Sequence, residues 1–141
     1  MISERRARVL LADDHPAALA QATRVLGESY EIVGTAANGL ELLEAAARLD
    51  PDVIVLDIAM PGLDGLEAGR RLVRDGRRGR LVFLTVWADS DYVAEALALG
   101  AKGYVVKSRL ASDLAPAVAA ALESRTFVSP GVPNGNPAAQ T

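Results

Sequence analysis

Cysteine is absent from the chain, which excludes disulfide frameworks, thiolate zinc sites and cysteine nucleophiles. Histidine occurs once, at His15, so a zinc site lacks its usual nitrogen donors as well. No apolar run approaches the roughly 20 residues that a membrane span requires. Met1 to Arg8 is short and charged, and no apolar segment resembling a signal peptide follows it. A cytoplasmic location without membrane contact is therefore expected. Net charge is −3 and no block of basic residues stands out, so this chain is not expected to touch nucleic acid. The one arginine cluster, Arg70 to Arg80, reads as the solvated face and end of a helix. Internal repeats are missing, and so is a Walker-type GxxxxGK[ST] loop.

What remains is an ordinary globular composition, 50% hydrophobic and 23% charged over 141 residues. That length suits one domain with a substantial core. Short apolar runs alternate with helical patterns five times: Arg8–Ala12, Glu31–Ala36, Val53–Leu56, Leu81–Leu84 and Gly103–Val106. The first, third and fourth are apolar throughout, as in strands covered on both faces. The second is more polar and suits an edge.

Between the runs, Ala18, Leu19, Ala22, Val25 and Leu26 recur at helical spacing, with Gly27 as a stop. Asn38 with Glu41, and Asp64 with Glu67, have capping-box spacing and open two further helices. Tyr92, Val93, Ala96 and Leu97 mark a fourth helix ended by Gly100. Leu114, Val118, Ala121 and Leu122 mark a fifth, in which Pro116 is tolerable if Ser112 caps the helix and places the proline near its first turn. Strict β-α alternation implies a parallel sheet with helices on both faces. The expected fold is α/β, a flavodoxin-like doubly wound (βα)5 with strand order 2-1-3-4-5. Residues 1–128 would form the domain. Pro, Gly and Asn dominate residues 129–141, read as a disordered tail or linker stub.

Ligands in such folds sit at the carboxyl ends of the strands. The first run ends in Asp13 and Asp14, the third in Asp57, the fourth in Thr85 and the fifth in Lys107. The first and third strands would be neighbours, so three carboxylates meet at one rim. They repel one another unless a cation compensates, and oxygen-only donors favour a hard ion such as Mg²⁺. A carboxylate is also a competent nucleophile toward phosphorus. Phosphoryl transfer needs chiefly positioning and charge neutralisation, which a metal, Lys107 and the Thr85 hydroxyl would supply. Singly, Asp13 or Asp14 reads equally well as a helix cap, while Thr85 alone is more often a strand-end residue than a ligand and Lys107 alone more often a surface charge. Asp57 is harder to dismiss, because an acid directly after VIVL loses solvation unless something pairs with it. His15 reads as a helix-start residue.

The stretches VLLADDHP, VIVLDIAMPGLDGLE, LVFLT and GAKGYVVKS resemble the receiver domain of two-component response regulators. The resemblance spans Arg8 to Ser124. It is nearest to receivers whose output is a helix-turn-helix DNA-binding domain. It implies that Asp57 takes the phosphoryl group from a histidine kinase or phosphotransfer protein. It further implies that Asp13, Asp14, Asp57 and the Ala59 main-chain carbonyl hold Mg²⁺. Lys107 and Thr85 would engage the phosphoryl group, and Tyr104 would be the switch aromatic, for which plain packing is an equal reading. A signalling switch with at most slow self-dephosphorylation is implied, with homodimerisation on phosphorylation as one outcome. The chain would be a stand-alone receiver or the receiver part of a transcriptional regulator. Val86, Ala59 and Ser108 depart from the usual family residues, and Trp87 falls at the rim.

The rival reading is a Mg-dependent aspartyl-phosphate phosphohydrolase. That chemistry requires a second acid two residues past the nucleophile, where this chain has Ala59. A flavodoxin-type cofactor module would need a phosphate-cradling loop, and ADDHPA presents negative charge there instead.

Overall fold

The computed structural model describes residues 6–132. The element order is β1 (Arg8–Ala12), α1 (Pro16–Leu26), β2 (Glu31–Ala36), α2 (Gly39–Leu49), β3 (Val53–Leu56) and α3 (Gly65–Arg74). Then follow β4 (Arg80–Thr85), α4 (Ser90–Ala98), β5 (Gly103–Val106), a 3₁₀ turn (Lys107–Arg109), α5 (Leu110–Leu122) and β6 (Phe127–Val128). All pairings are parallel, and the strand order is 2-1-3-4-5-6. The doubly wound fold expected from β-α alternation is present, and β2 lies at an edge.

The two-residue period of the strands sorts the core into two halves. Val9, Leu11, Val53, Val55, Val82 and Leu84 face one side, packed with Ala22 and Leu26 of α1 and Leu114 and Val118 of α5. Leu10, Ile54, Leu56, Leu81 and Phe83 face the other, against Leu42 of α2, Leu72 of α3 and Val93 of α4. Each fully buried Leu, Ile, Val or Phe contributes roughly 1.5–3 kcal/mol. The unbroken apolar runs of β1, β3 and β4 are thus the consequence of helices on both faces.

Helix ends follow the side-chain chemistry. Asn38 Oδ1 accepts from the Glu41 amide at 2.9 Å, and Asp64 Oδ1 from the Glu67 amide at 2.9 Å. The reciprocal bond of α2 is displaced by one residue, with the Ala37 amide donating to Glu41 Oε1 at 2.9 Å. For α3, Glu67 turns instead to Arg70 and Arg71. Gly100 follows α4 with φ +109, a conformation open to glycine.

Three expectations are corrected. The sheet has a sixth strand: Phe127 and Val128 pair with Gly103 and Tyr104. Two residues are too short to show a period, so the signal was not legible in sequence. The tail does not begin at 129. Ser129 is 1% exposed and bonded to Asp113, and Val132 packs on the core; residues 133–141 lie outside the described residues. Finally, Ser112 does not cap α5. The helix starts at Leu110, and Pro116 stands in its interior, with the Ser112 hydroxyl on Arg109 O and Asp113 Oδ1.

Gly65 opens α3 directly beneath the acid at the end of β3. Its amide donates to Ile58 O at 2.7 Å, and a Cβ there would overlap the Asp57 carbonyl oxygen. Gly65→Ala is expected to cost ~3 kcal/mol of stability by overpacking a backbone that has no room to yield, measured by urea unfolding.

Candidate functional site

Pairing of β1 with β3 continues one residue past the strands. The Asp57 amide donates to Ala12 O at 3.0 Å, and pairing of β1 with β2 continues likewise, the Asp13 amide donating to Ala36 O at 2.9 Å. These bonds fix the two acids side by side at the carboxyl edge. Asp13 is 4% and Asp57 2% exposed. Two carboxylates so deeply buried require a cation or strong donors.

Lys107 is that cation. Its Nζ lies 2.7 Å from Asp13 Oδ2 and 2.9 Å from Asp57 Oδ2. The contact with Asp57 is a hydrogen bond. The contact with Asp13 is a charge pair without hydrogen-bond alignment, which leaves Asp13 Oδ2 buried with no hydrogen-bond donor. Burial works against the ammonium, but the two carboxylates outweigh it and hold the Lys107 pKa above the ordinary lysine value. Asp57 Oδ1 accepts from the Ala59 amide at 3.3 Å.

Asp14 joins the cluster at its solvent side. His15 does too, which the sequence reading missed. Its Nδ1 is 3.1 Å from Asp13 Oδ1 and 3.1 Å from Asp14 Oδ1. His15 stands at the N-cap position of α1, followed by Pro16 at the first turn, so its helix-start role holds while its ring turns back onto the acids. One donor atom from each of Asp13, Asp14, His15 and Asp57 falls within a 4.8 Å group. The oxygen donors and the buried, unbonded Asp13 Oδ2 suit a hard divalent cation.

Thr85 and Tyr104 are close by but outside this group. Thr85 is fully buried, and its Oγ1 accepts from the Trp87 amide at 3.3 Å. The Tyr104 hydroxyl donates to the carbonyl of the same residue, Trp87. One peptide segment of the β4–α4 loop is therefore gripped from both sides. Tyr104 is fully buried, with its ring tilted against Phe83 at 6.4 Å. Burial, then the charges of Asp89 and Asp57, push its hydroxyl pKa up, so it stays a neutral donor. The Trp87 ring leans on Tyr92 at 5.0 Å. Val86 is exposed and borders a cavity of about 280 Å³ with His15, Ala18, Gln21, Lys107 and Leu110.

Residues 9–119 match the family model of the response regulator receiver domain. The chain belongs to that family. As a receiver it is a phosphoacceptor switch of the two-component type, and the phosphohydrolase alternative gains no support. The response regulator GacA of Pseudomonas viridiflava is 34% identical over 127 residues, 89% of this chain and 59% of GacA. The nitrate/nitrite response regulator NarL of Escherichia coli K12 is 38% identical over 84% of this receiver and 56% of NarL. The receiver thus spans just over half the length of these relatives. Among solved structures, a LuxR-family response regulator from Aurantimonas sp. SI85-9A1 superposes with TM-score 0.85 at 32% identity, over 90% of this chain and 92% of that one. The isolated receiver of RcsB from Salmonella enterica, solved with the phosphomimetic BeF₃⁻, gives TM-score 0.84 at 26% identity, over 91% and 96%.

Removing the shared cation leaves Asp13 and Asp57 facing each other. Lys107→Met is expected to lose ~3 kcal/mol near neutral pH without added divalent ion. A raised lysine pKa stabilises fully below the unfolded value and ceases to do so as pH climbs through the folded value. The deficit relative to wild type should therefore shrink above the ordinary lysine range, read by urea unfolding across pH.

Proposed function

We propose that Asp57 is the phosphoryl acceptor of this receiver. The observation that carries this reading is a buried carboxylate whose cationic partner among the described residues, Lys107, is shared with a second buried carboxylate. Asp13, Asp14, Asp57 and the Ala59 carbonyl are the groups that would hold Mg²⁺. Bound there, the ion would neutralise charge on the transferring oxygens. No helix among the described residues is long and apolar enough to cross a membrane, and a cytoplasmic histidine kinase or phosphotransfer protein is the proposed donor.

An Asp57 carboxylate oxygen attacks phosphorus, the bond from phosphorus to the donor breaks, and the donor keeps that electron pair. The new aspartyl phosphate carries about −1.5 to −2 charge and extra acceptor oxygens. Lys107 then pairs with those oxygens rather than with two bare carboxylates. The buried Thr85 hydroxyl, at present an acceptor for the Trp87 amide, is the donor that shifts toward the phosphoryl group. Loss of that bond frees one of the two grips on the β4–α4 loop, and Tyr104 holds the other. Activation is a population shift to the arrangement in which Thr85 and Lys107 are drawn in. The output is a changed α4–β5–α5 surface, read by a second copy or by a DNA-binding partner domain. Turnover beyond slow self-dephosphorylation is not part of this role.

Incubation with acetyl phosphate and Mg²⁺ should add one phosphoryl group to wild type and none to Asp57→Asn, read by intact-mass spectrometry. Equal uptake by both rejects the assignment. Beryllofluoride with Mg²⁺ should change Trp87 fluorescence in wild type and leave Asp57→Asn unchanged.

A further inference from the structure

The segment carrying Lys107 is clamped from behind by residues beyond α5. Ser129 donates its hydroxyl to Asp113 Oδ2 at 2.8 Å and accepts from the Val106 amide at 3.2 Å. Val106 immediately precedes Lys107. Backbone pairing between β5 and β6 ends at Tyr104 and Val128, with the Ser129 amide on Tyr104 O at 2.9 Å. The Ser129 hydroxyl therefore extends the ladder where backbone pairing stops. On the far side of Lys107, Arg109 grips the same carboxylate, with Nε 2.7 Å from Asp113 Oδ2 and Nη2 3.3 Å from Oδ1. Ser112 adds a third donor at 2.9 Å. Asp113 and Ser129 are 4% and 1% exposed, so the hydrogen bond between them is held away from competing water.

Both ends of the span Val106–Arg109 are thus tied to one buried Asp113–Ser129 pair, and Lys107 lies inside that span. The family match ends at residue 119, so Ser129 is outside it. We propose that Ser129, acting through Asp113 and the Val106 amide, is a positioning residue for Lys107. It is not a catalytic residue, because it touches none of the acids of the cluster. The link is reciprocal: a phosphoryl group that draws Lys107 inward pulls on the same span. The pull reaches Ser129, three residues before the end of the described chain at Val132. The phosphorylation site and the segment from Phe127 to Val132 are thereby coupled through one hydroxyl. The inference rests on the reading of Lys107 as the phosphoryl-pairing group.

The test compares wild type, Ser129→Ala and Ser129→Thr, which keeps the hydroxyl. Mg²⁺ affinity, beryllofluoride affinity in saturating Mg²⁺, thermal midpoint and the Lys107 side-chain ammonium resonance by NMR are measured for each. Loss of one hydrogen bond behind Lys107 should weaken beryllofluoride binding about fivefold while Mg²⁺ affinity stays within about twofold. The ammonium resonance of the free protein should move toward that of a solvated lysine, and Ser129→Thr should restore both. Unchanged beryllofluoride affinity with an unmoved resonance overturns the proposal. So does a loss of Mg²⁺ affinity as large as that of beryllofluoride, which would mean general loosening. If wild type itself fails to bind beryllofluoride, the acceptor reading falls, and the Lys107 resonance alone decides whether Ser129 positions that side chain.

Discussion

Two carboxylates and one ammonium at the carboxyl edge of the sheet set the terms for the rest of the molecule. Asp13 and Asp57 are buried next to each other, with Lys107 between their Oδ2 atoms. Such a group is costly to desolvate and stands only where geometry is imposed from outside. The imposition comes from the parallel pairing of β1 with β3, continued by the Asp57 amide on Ala12 O. The cores on the two sheet faces keep those strands in register. Stability and chemistry pull in opposite directions here: the charge concentration that is costly to bury is the feature on which the proposed binding of a divalent cation and a phosphoryl group rests.

The route from this cluster to the surface runs through backbone groups rather than side-chain contacts at the acids. Trp87 offers its amide to Thr85 and its carbonyl to Tyr104, so two hydroxyls hold the loop that leads into α4. On the other flank, the 3₁₀ turn joins Lys107 to Arg109, and Arg109 to the buried Asp113. Both routes begin within the span from Thr85 to Arg109. The β4–α4 loop and the start of α5 are thus each tied by hydrogen bonds to residues at the ends of β4 and β5.

Much of this was legible in the linear chain. Four of the five expected strand runs have the observed bounds, and β4 gains one residue at each end, Arg80 and Thr85. Asn38, Asp64 and Gly100 mark helix ends as their side chains or conformational freedom require. The elements that escaped are those without periodicity or without a local partner. β6 is two residues long, and its reason to exist is the open edge of β5. Ser129 sits among Pro, Gly and Asn, and nothing nearby in sequence announces Asp113 as its partner. Arg109 and Asp113 do have the i, i+4 spacing of a helical ion pair, a signal that was available. His15 was visible as a helix start, but its contact with both acids depends on a ring rotamer that sequence does not specify.

The sequence by itself determined the alternation of strand and helix, hence the parallel sheet, and which residues end each strand. Apolar runs and cap residues act over a few positions, so their consequences can be read in order along the chain. Tertiary structure alone decided that Lys107 spans Asp13 and Asp57, that the buried Thr85 hydroxyl accepts from the Trp87 amide, and that Ser129 is buried at the edge of β5. Those outcomes are distances between residues 44 or more positions apart, or, for Thr85 and Ser129, choices among hydrogen-bond partners. They are settled only when the packed sheet fixes where each strand end points.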